Sequence, residues 1–172
     1  GALPVEHIYL GGWEHFVGGG VAVMDCNGDQ RPDIYAAGGE AEARLFVQRD
    51  SADLLFDVSD AIPALTGVTG AYPIDINSDG HVDLVVLRVG ENQILKGDGA
   101  CGFVDMNTAW GFETDDRWST AFSATWERGQ AWPTLAIGNY VDRHDPEGPF
   151  EAWDINQLYR PTGEAYAAPE TL

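Results

Sequence analysis

The sequence predicts an all-β chain assembled from four-stranded antiparallel units. Three observations carry that expectation. Twenty-one glycines and nine prolines are spread along 172 residues, which marks many short strands joined by tight turns. No apolar period of 3.6 residues runs far enough to mark an amphipathic helix. The chain also repeats its own landmarks at an offset of 50 residues, from Asp25 to Asp75.

The first unit reads as a strand over Val21–Met24, an acidic loop from Asp25 to Asp33, a strand from Ile34, then strands at Arg44–Val47 and Phe56–Val58. The second repeats it with Ala71–Ile74, an acidic loop from Asp75 to Asp83, Leu84–Leu87, Gln93–Lys96 and Phe103–Asp105. A third copy runs from Thr125–Gln130 into Leu135–Tyr140 and on to Gln157–Arg160. It has lost the acidic pattern and shows no Phe-x-Asp strand at its end. The units fall at about 16–65, 66–115 and 116–165, within one segment spanning 1–172. Four short strands in about 50 residues make a propeller blade. Leu84–Leu87 is apolar at every position, as expected of a strand held between two neighbouring sheets. Two and a half to three blades are fewer than the roughly four to eight of a closed propeller. The segment is therefore expected to be part of a larger ring, completed by further blades or by partner chains.

Nine basic residues face 28 acidic ones, a formal net charge of −19. Nucleic acid and anionic membrane surfaces both select for basic patches, so neither is an expected partner. A hydrophobic fraction of 44% with 11% aromatics is enough for a folded core. No apolar run reaches the ~18 residues of a membrane span. The opening residues Gly1–Pro4 carry no signal-peptide pattern, and a signal peptide is expected to have been removed.

The acidic loops carry the chemistry. A hard divalent cation takes about six to eight oxygens. A tightly curled loop turns side chains 1, 3 and 5 inward, adds the carbonyl of position 7, and closes with a carboxylate. In the first loop the donors are Asp25, Asn27, Asp29 and Asp33, with the carbonyl of Arg31. In the second they are Asp75, Asn77, Asp79 and Asp83, with the carbonyl of His81. Three carboxylates per loop suit Ca²⁺ better than Zn²⁺, which prefers Cys and His. An EF-hand would need a Glu at position 12 and flanking helices; Ala36 and Val86 stand there, between strands. Position 6 is Gly80 in the second loop and Gln30 in the first, so the second site is expected to be the stronger.

The lines Phe16–Asp29 and Ile137–Asp142 resemble the FG-GAP (VCBS-type) repeat family, whose best-known members are the integrin α-chain propellers. The chain is more closely similar to bacterial proteins of the cartilage acidic protein type, which often carry an ASPIC/UnbV domain. The resemblance covers roughly residues 5–160. It implies a secreted or periplasmic, Ca²⁺-binding β-propeller that acts in recognition or as a scaffold, and it carries the ligand positions onto the residues already named. The third loop departs from the pattern, so no site is carried there. An oxidising compartment would permit a disulfide between Cys26 and Cys101 if adjacent blades bring them together; two separately buried thiols are the alternative.

The remaining residues point to no reaction. His7, His15, His81 and His144 are dispersed, and there is no nucleophile elbow, phosphate loop or metalloprotease helix. The expected function is a protein-binding or scaffold module rather than an enzyme, possessing two Ca²⁺ sites and no catalytic residues. The alternatives are a polysaccharide-acting enzyme or a carbohydrate-binding module. Trp110, Trp118, Trp126 and Trp132 are expected to pack between blades, and Asp142–Glu151 reads as a solvated insertion.

Overall fold

Twelve strands follow one another in the computed structural model, which describes residues 8–15 and 19–172. His7 and the Phe16–Gly18 part of the family-like line lie outside the described residues. The first four strands, β1 (Val21–Met24), β2 (Asp33–Ala36), β3 (Arg44–Gln48) and β4 (Phe56–Ser59), form one antiparallel sheet in that order. The next four, β5 (Val68–Ile74), β6 (Asp83–Gly90), β7 (Gln93–Gly97) and β8 (Phe103–Asp105), make a second meander. The last four, β9 (Arg117–Thr125), β10 (Thr134–Asn139), β11 (Gln157–Tyr159) and β12 (Glu170–Thr171), make a third. The end of β6 pairs Val89 with Trp118 and Gly90 with Arg117 on β9, which joins the second and third meanders into one eight-stranded sheet. The fold is all-β and propeller-like. Among the described residues the only helical element is a 3₁₀ turn at Trp13–His15, and no helix is long and apolar enough to cross a membrane.

The middle meander explains its own sequence. Successive residues of a strand point to opposite faces. Leu84, Val86 and Leu95 face the first meander, where they meet Met24, Tyr35 and Leu45. Val85, Leu87 and Ile94 face the third, where they meet Leu135, Ile137 and Tyr159. All six are fully buried, so a layer with neighbours on both sides needs apolar residues at consecutive positions. Truncating one of these leucines to alanine costs about 2–5 kcal/mol. β1 instead alternates, with Ala22 and Met24 inward and Val21 and Val23 exposed.

Two expectations need correction. The third unit does have a fourth strand: after Tyr159 the chain turns through Pro161–Tyr166 and returns to pair Glu170 with Leu158 and Thr171 with Gln157. Its two residues carry none of the Phe-x-Asp signal of the other units, and its existence depends on the edge that β11 offers. Trp126 does not pack between blades. It is half exposed, and its indole N–H donates to Ala131 O at 3.2 Å. Trp110 and Trp132 do pack there, edge to face, with centroids 4.8 Å apart. Trp118 is buried against Trp13 and Tyr140.

Candidate functional site

Each acidic loop joins the first two strands of its meander, and in each the short polar side chains curl the backbone. In the first loop Asp25 Oδ1 accepts the amides of Gly28 at 2.8 Å and Asp29 at 3.0 Å, and Oδ2 accepts Gln30 N at 2.7 Å. Asn27 Oδ1 accepts Asp29 N, and Asp29 Oδ1 accepts Arg31 N. The second loop repeats the web. Asp75 accepts the amides of Asp79 and Gly80, Asn77 accepts Asp79 N, and Asp79 accepts His81 N at 3.0 Å. Positions 1, 3 and 5 are thus linked to one another through the loop amides in both loops. They gain this order by binding amides that the tight curl would otherwise leave unpaired.

The curl needs two left-handed residues per loop, at positions 4 and 6. The first loop places Gly28 (φ 75) and Gln30 (φ 64) there; the second places Ser78 (φ 58) and Gly80 (φ 85). Each loop therefore has one glycine at no steric cost and one residue under strain of about 1–2 kcal/mol. Gly80 alone does not rank the loops, because Ser78 offsets it.

Position 9 lies underneath. Asp33 and Asp83 are both fully buried. Asp33 Oδ2 accepts Cys26 N at 3.0 Å and Oδ1 accepts Gln48 N at 2.9 Å. Asp83 Oδ2 accepts Ile76 N at 2.9 Å and Oδ1 accepts Gly97 N at 3.0 Å. Each carboxylate staples its loop to the third strand of its meander. At Gly97 that approach leaves no room for a side chain, since a Cβ would lie 2.1 Å from Val82 O. Burial pushes the Asp83 carboxyl up to about 6; the two amides oppose the shift, and the Asp79 and Asp75 carboxylates add to it.

Two basic side chains lie on the position-5 carboxylates. The Arg31 guanidinium meets Asp29 Oδ2 at 2.9 Å and reaches Asp50 at 3.4 Å. Lys96 Nζ, from β7, meets Asp79 Oδ2 at 2.6 Å. The Lys96 bond is the main cause that holds Asp79 down at about 2. For Asp29 partial burial opposes the shift, but the Arg31 amide, the Asn27 side chain and the Arg31 charge together hold it below the usual range. Lys96 was not legible as part of the site, because only the register of β7 beside the loop brings it there.

The loops also differ in their ties to the next meander. Cys26 and Cys101 form a disulfide, with Cα atoms 4.8 Å apart, that joins the first loop to the β7–β8 turn. Asp33 Oδ2 lies 2.9 Å from Cys26 Sγ and 3.5 Å from Cys101 Sγ; these are contacts, since bonded sulfurs carry no proton. In the second loop the equivalent of Cys26 is Ile76, buried in the next apolar interface, and Ser78 Oγ donates to Ala131 O at 2.8 Å.

The donor set suits a hard cation: oxygens alone, three carboxylates per loop, on a backbone already curled. Among the described residues, the group of three metal-ligating side chains within 4.8 Å of one another is Cys26, Asp33 and Cys101, whose sulfurs are spent on each other. The carboxylates of the two loops do not form such a group, being drawn to amides and to Arg31 or Lys96. In the 142–151 insertion, Asp142 and Asp145 accept the amides of His144 and Glu147. His15 lies in the 3₁₀ turn, and His144 meets Asp116. A pocket of about 390 Å³ beside the second loop is lined by Asn77, Lys96, Met106, Trp110, Trp132 and Glu164. Trp110 and Trp132 are only 6% and 4% exposed, so neither offers an open platform for stacking a sugar.

Residues 25–86 match the FG-GAP-like repeat. The matched stretch starts at the first donor of the first loop and ends just past the last donor of the second, so it contains the whole of both loops. No curated protein matches the chain.

Proposed function

We propose that this chain is an extracytoplasmic, Ca²⁺-binding propeller module that presents a binding or scaffold surface to a protein partner or to further blades. The observation that carries the reading is the second loop's reproduction, 50 residues on, of the first loop's bonds from Asp25, Asn27 and Asp29. Asp25, Asn27, Asp29 and Asp33, with the Arg31 carbonyl, would hold one ion. Asp75, Asn77, Asp79 and Asp83, with the His81 carbonyl, would hold the other. An ion so held supplies the positive charge that lets three carboxylates share one turn. The disulfide supports a periplasmic or extracellular location, because such bonds persist in oxidising compartments. The closer likeness to cartilage-acidic-protein-type chains belongs to the same reading.

A binding role fits the site better than catalysis. Asp83 has the raised carboxyl that an acid catalyst needs, yet it is fully buried beneath its loop, where an ion held by the loop would reach a free lone pair and a polysaccharide would not.

Thermal unfolding with Ca²⁺ and with chelator tests the reading. A ligand that binds only the folded state adds about 2.7 kcal/mol per site at a hundredfold excess over Kd. The melting temperature is expected to rise by several degrees on adding Ca²⁺ and to fall again with chelator. No shift at about 10 mM Ca²⁺, above the ~1 mM Kd of the weakest extracellular sites, would sink it.

A further inference from the structure

The two loops carry the same donors, but a basic side chain reaches the second from a strand outside it. We propose that the Lys96 ammonium is the built-in counter-cation of the second loop, and that a divalent cation enters that loop only by displacing it from Asp79. The inference rests on the Ca²⁺ reading above and names a residue that regulates the same site.

The fold does not require a lysine there. Gln48 N meets Asp33 as Gly97 N meets Asp83, so residue 96 corresponds to residue 47 one meander earlier. Residue 47 is Val47, and the first loop forms the same bonds without a basic group at that position; Arg44, at the other end of the strand, pairs with Glu42. What Lys96 adds is charge. Its ammonium sits 2.6 Å from Asp79 Oδ2, the oxygen that also takes the Asn77 amide group at 2.9 Å. The Asp79 bond raises the Lys96 ammonium above its ordinary range; partial burial opposes this, and Asp83 and Asp75 add their fields. One positive charge thus rests on the position-5 carboxylate, an oxygen that a Ca²⁺ ion in this loop would need.

The same geometry makes the ammonium displaceable. The Lys96 side chain is one-third exposed and lines the pocket shared with Met106, Trp110 and Trp132, so it has a wet space to swing into. Leaving Asp79 gives up one partly exposed ion pair, a weak tie, and an ammonium that stays nearby repels the incoming ion as well. The first loop's guanidinium differs, because Arg31 already has Asp50 as a second partner.

The test compares the full chain with Lys96→Met, which keeps the stem, and Lys96→Arg, which keeps the charge. Tb³⁺ bound in the second loop is excited by energy transfer from Trp110 and Trp132, which line the pocket with Asn77. Competition by Ca²⁺ then reads the affinity of that loop. Lys96→Met is expected to tighten Ca²⁺ binding about three- to tenfold and to lower the melting temperature in chelator. Lys96→Arg is expected to bind within about twofold of the parent. Equal or weaker Ca²⁺ binding by Lys96→Met, with the parent binding normally, would overturn the inference alone. If neither protein takes up Tb³⁺ or Ca²⁺, the cation reading falls and takes this inference with it.

Discussion

The first and second acidic loops close on the same bonds and are anchored by different means. Cys26 ties the first to the next meander through a covalent bridge to Cys101. Ile76, at the matching place, ties the second through burial among Trp110, Leu135 and Tyr166. The basic group is local in the first loop (Arg31) and comes from β7 in the second (Lys96). The left-handed glycine stands at position 4 in one and position 6 in the other. The difference teaches that the donor spacing fixes the curl, whereas anchoring, strain and charge balance are solved separately by whatever neighbours each loop. On the Ca²⁺ reading proposed above, loops with equal oxygen donors are therefore not expected to have equal affinities.

The covalent tie offers the largest way to break this symmetry. Replacing both cysteines by serine, or reducing the bond, frees a loop of 75 residues and is expected to cost about 4 kcal/mol by urea unfolding. A loss below about 1 kcal/mol would show that the interface of Tyr35, Leu45 and Leu84 already supplies the anchor.

Asp33→Ala and Asp83→Ala should each cost about 3 kcal/mol in chelator, since each orphans two buried amides. The two losses should agree to within about 1 kcal/mol, as the two staples have the same bonds. A clear inequality would mean that the disulfide beside Asp33 shares its work.

Proton linkage sharpens the comparison on the second loop. Asp83 holds its proton up to about pH 6 in the folded state and to about 3.9 unfolded, so the folded form binds more protons between these values. Its contribution is complete below about pH 4 and is lost as the pH rises through 6, a fall of about 2–3 kcal/mol in chelator. The Asp83 carboxyl carbon followed by NMR should titrate near 6; titration near 4 would remove the effect.

The smallest change concerns strain. Gln30→Gly and Ser78→Gly should each stabilise by about 0.5 kcal/mol, the left-handed cost less the entropy that glycine adds to the unfolded chain. Denaturation midpoints that move in opposite directions would show that the two curls are not equivalent.

Much of this was readable in the residue order. The Asp-x-Asn-x-Asp spacing announces a curled loop because these short side chains bond amides two to five residues away, which needs no distant partner. Leu84–Leu87 announces a strand buried on both faces for a similar reason, since consecutive apolar positions leave no face for water. Lys96 and β12 were not readable. A lysine on a strand looks like an ordinary solvated charge until the register sets it beside Asp79. Glu170–Thr171 looks like a tail until the edge of β11 accepts it. The exposed Trp126 fails in the same way, because composition places aromatics inside and only the hairpin geometry turns this one out.

Local chemistry, acting over nine residues or fewer, determined the strands other than β12, the two curls and the oxygen-bearing side chains that line them. Tertiary structure decided which charges meet those donors, how deeply Asp33 and Asp83 are buried, and which loop gained a disulfide. The reason is physical: hydrogen bonds to nearby amides depend on spacing along the chain, whereas burial, ion pairing and sulfur bonding depend on distances that only packed sheets set.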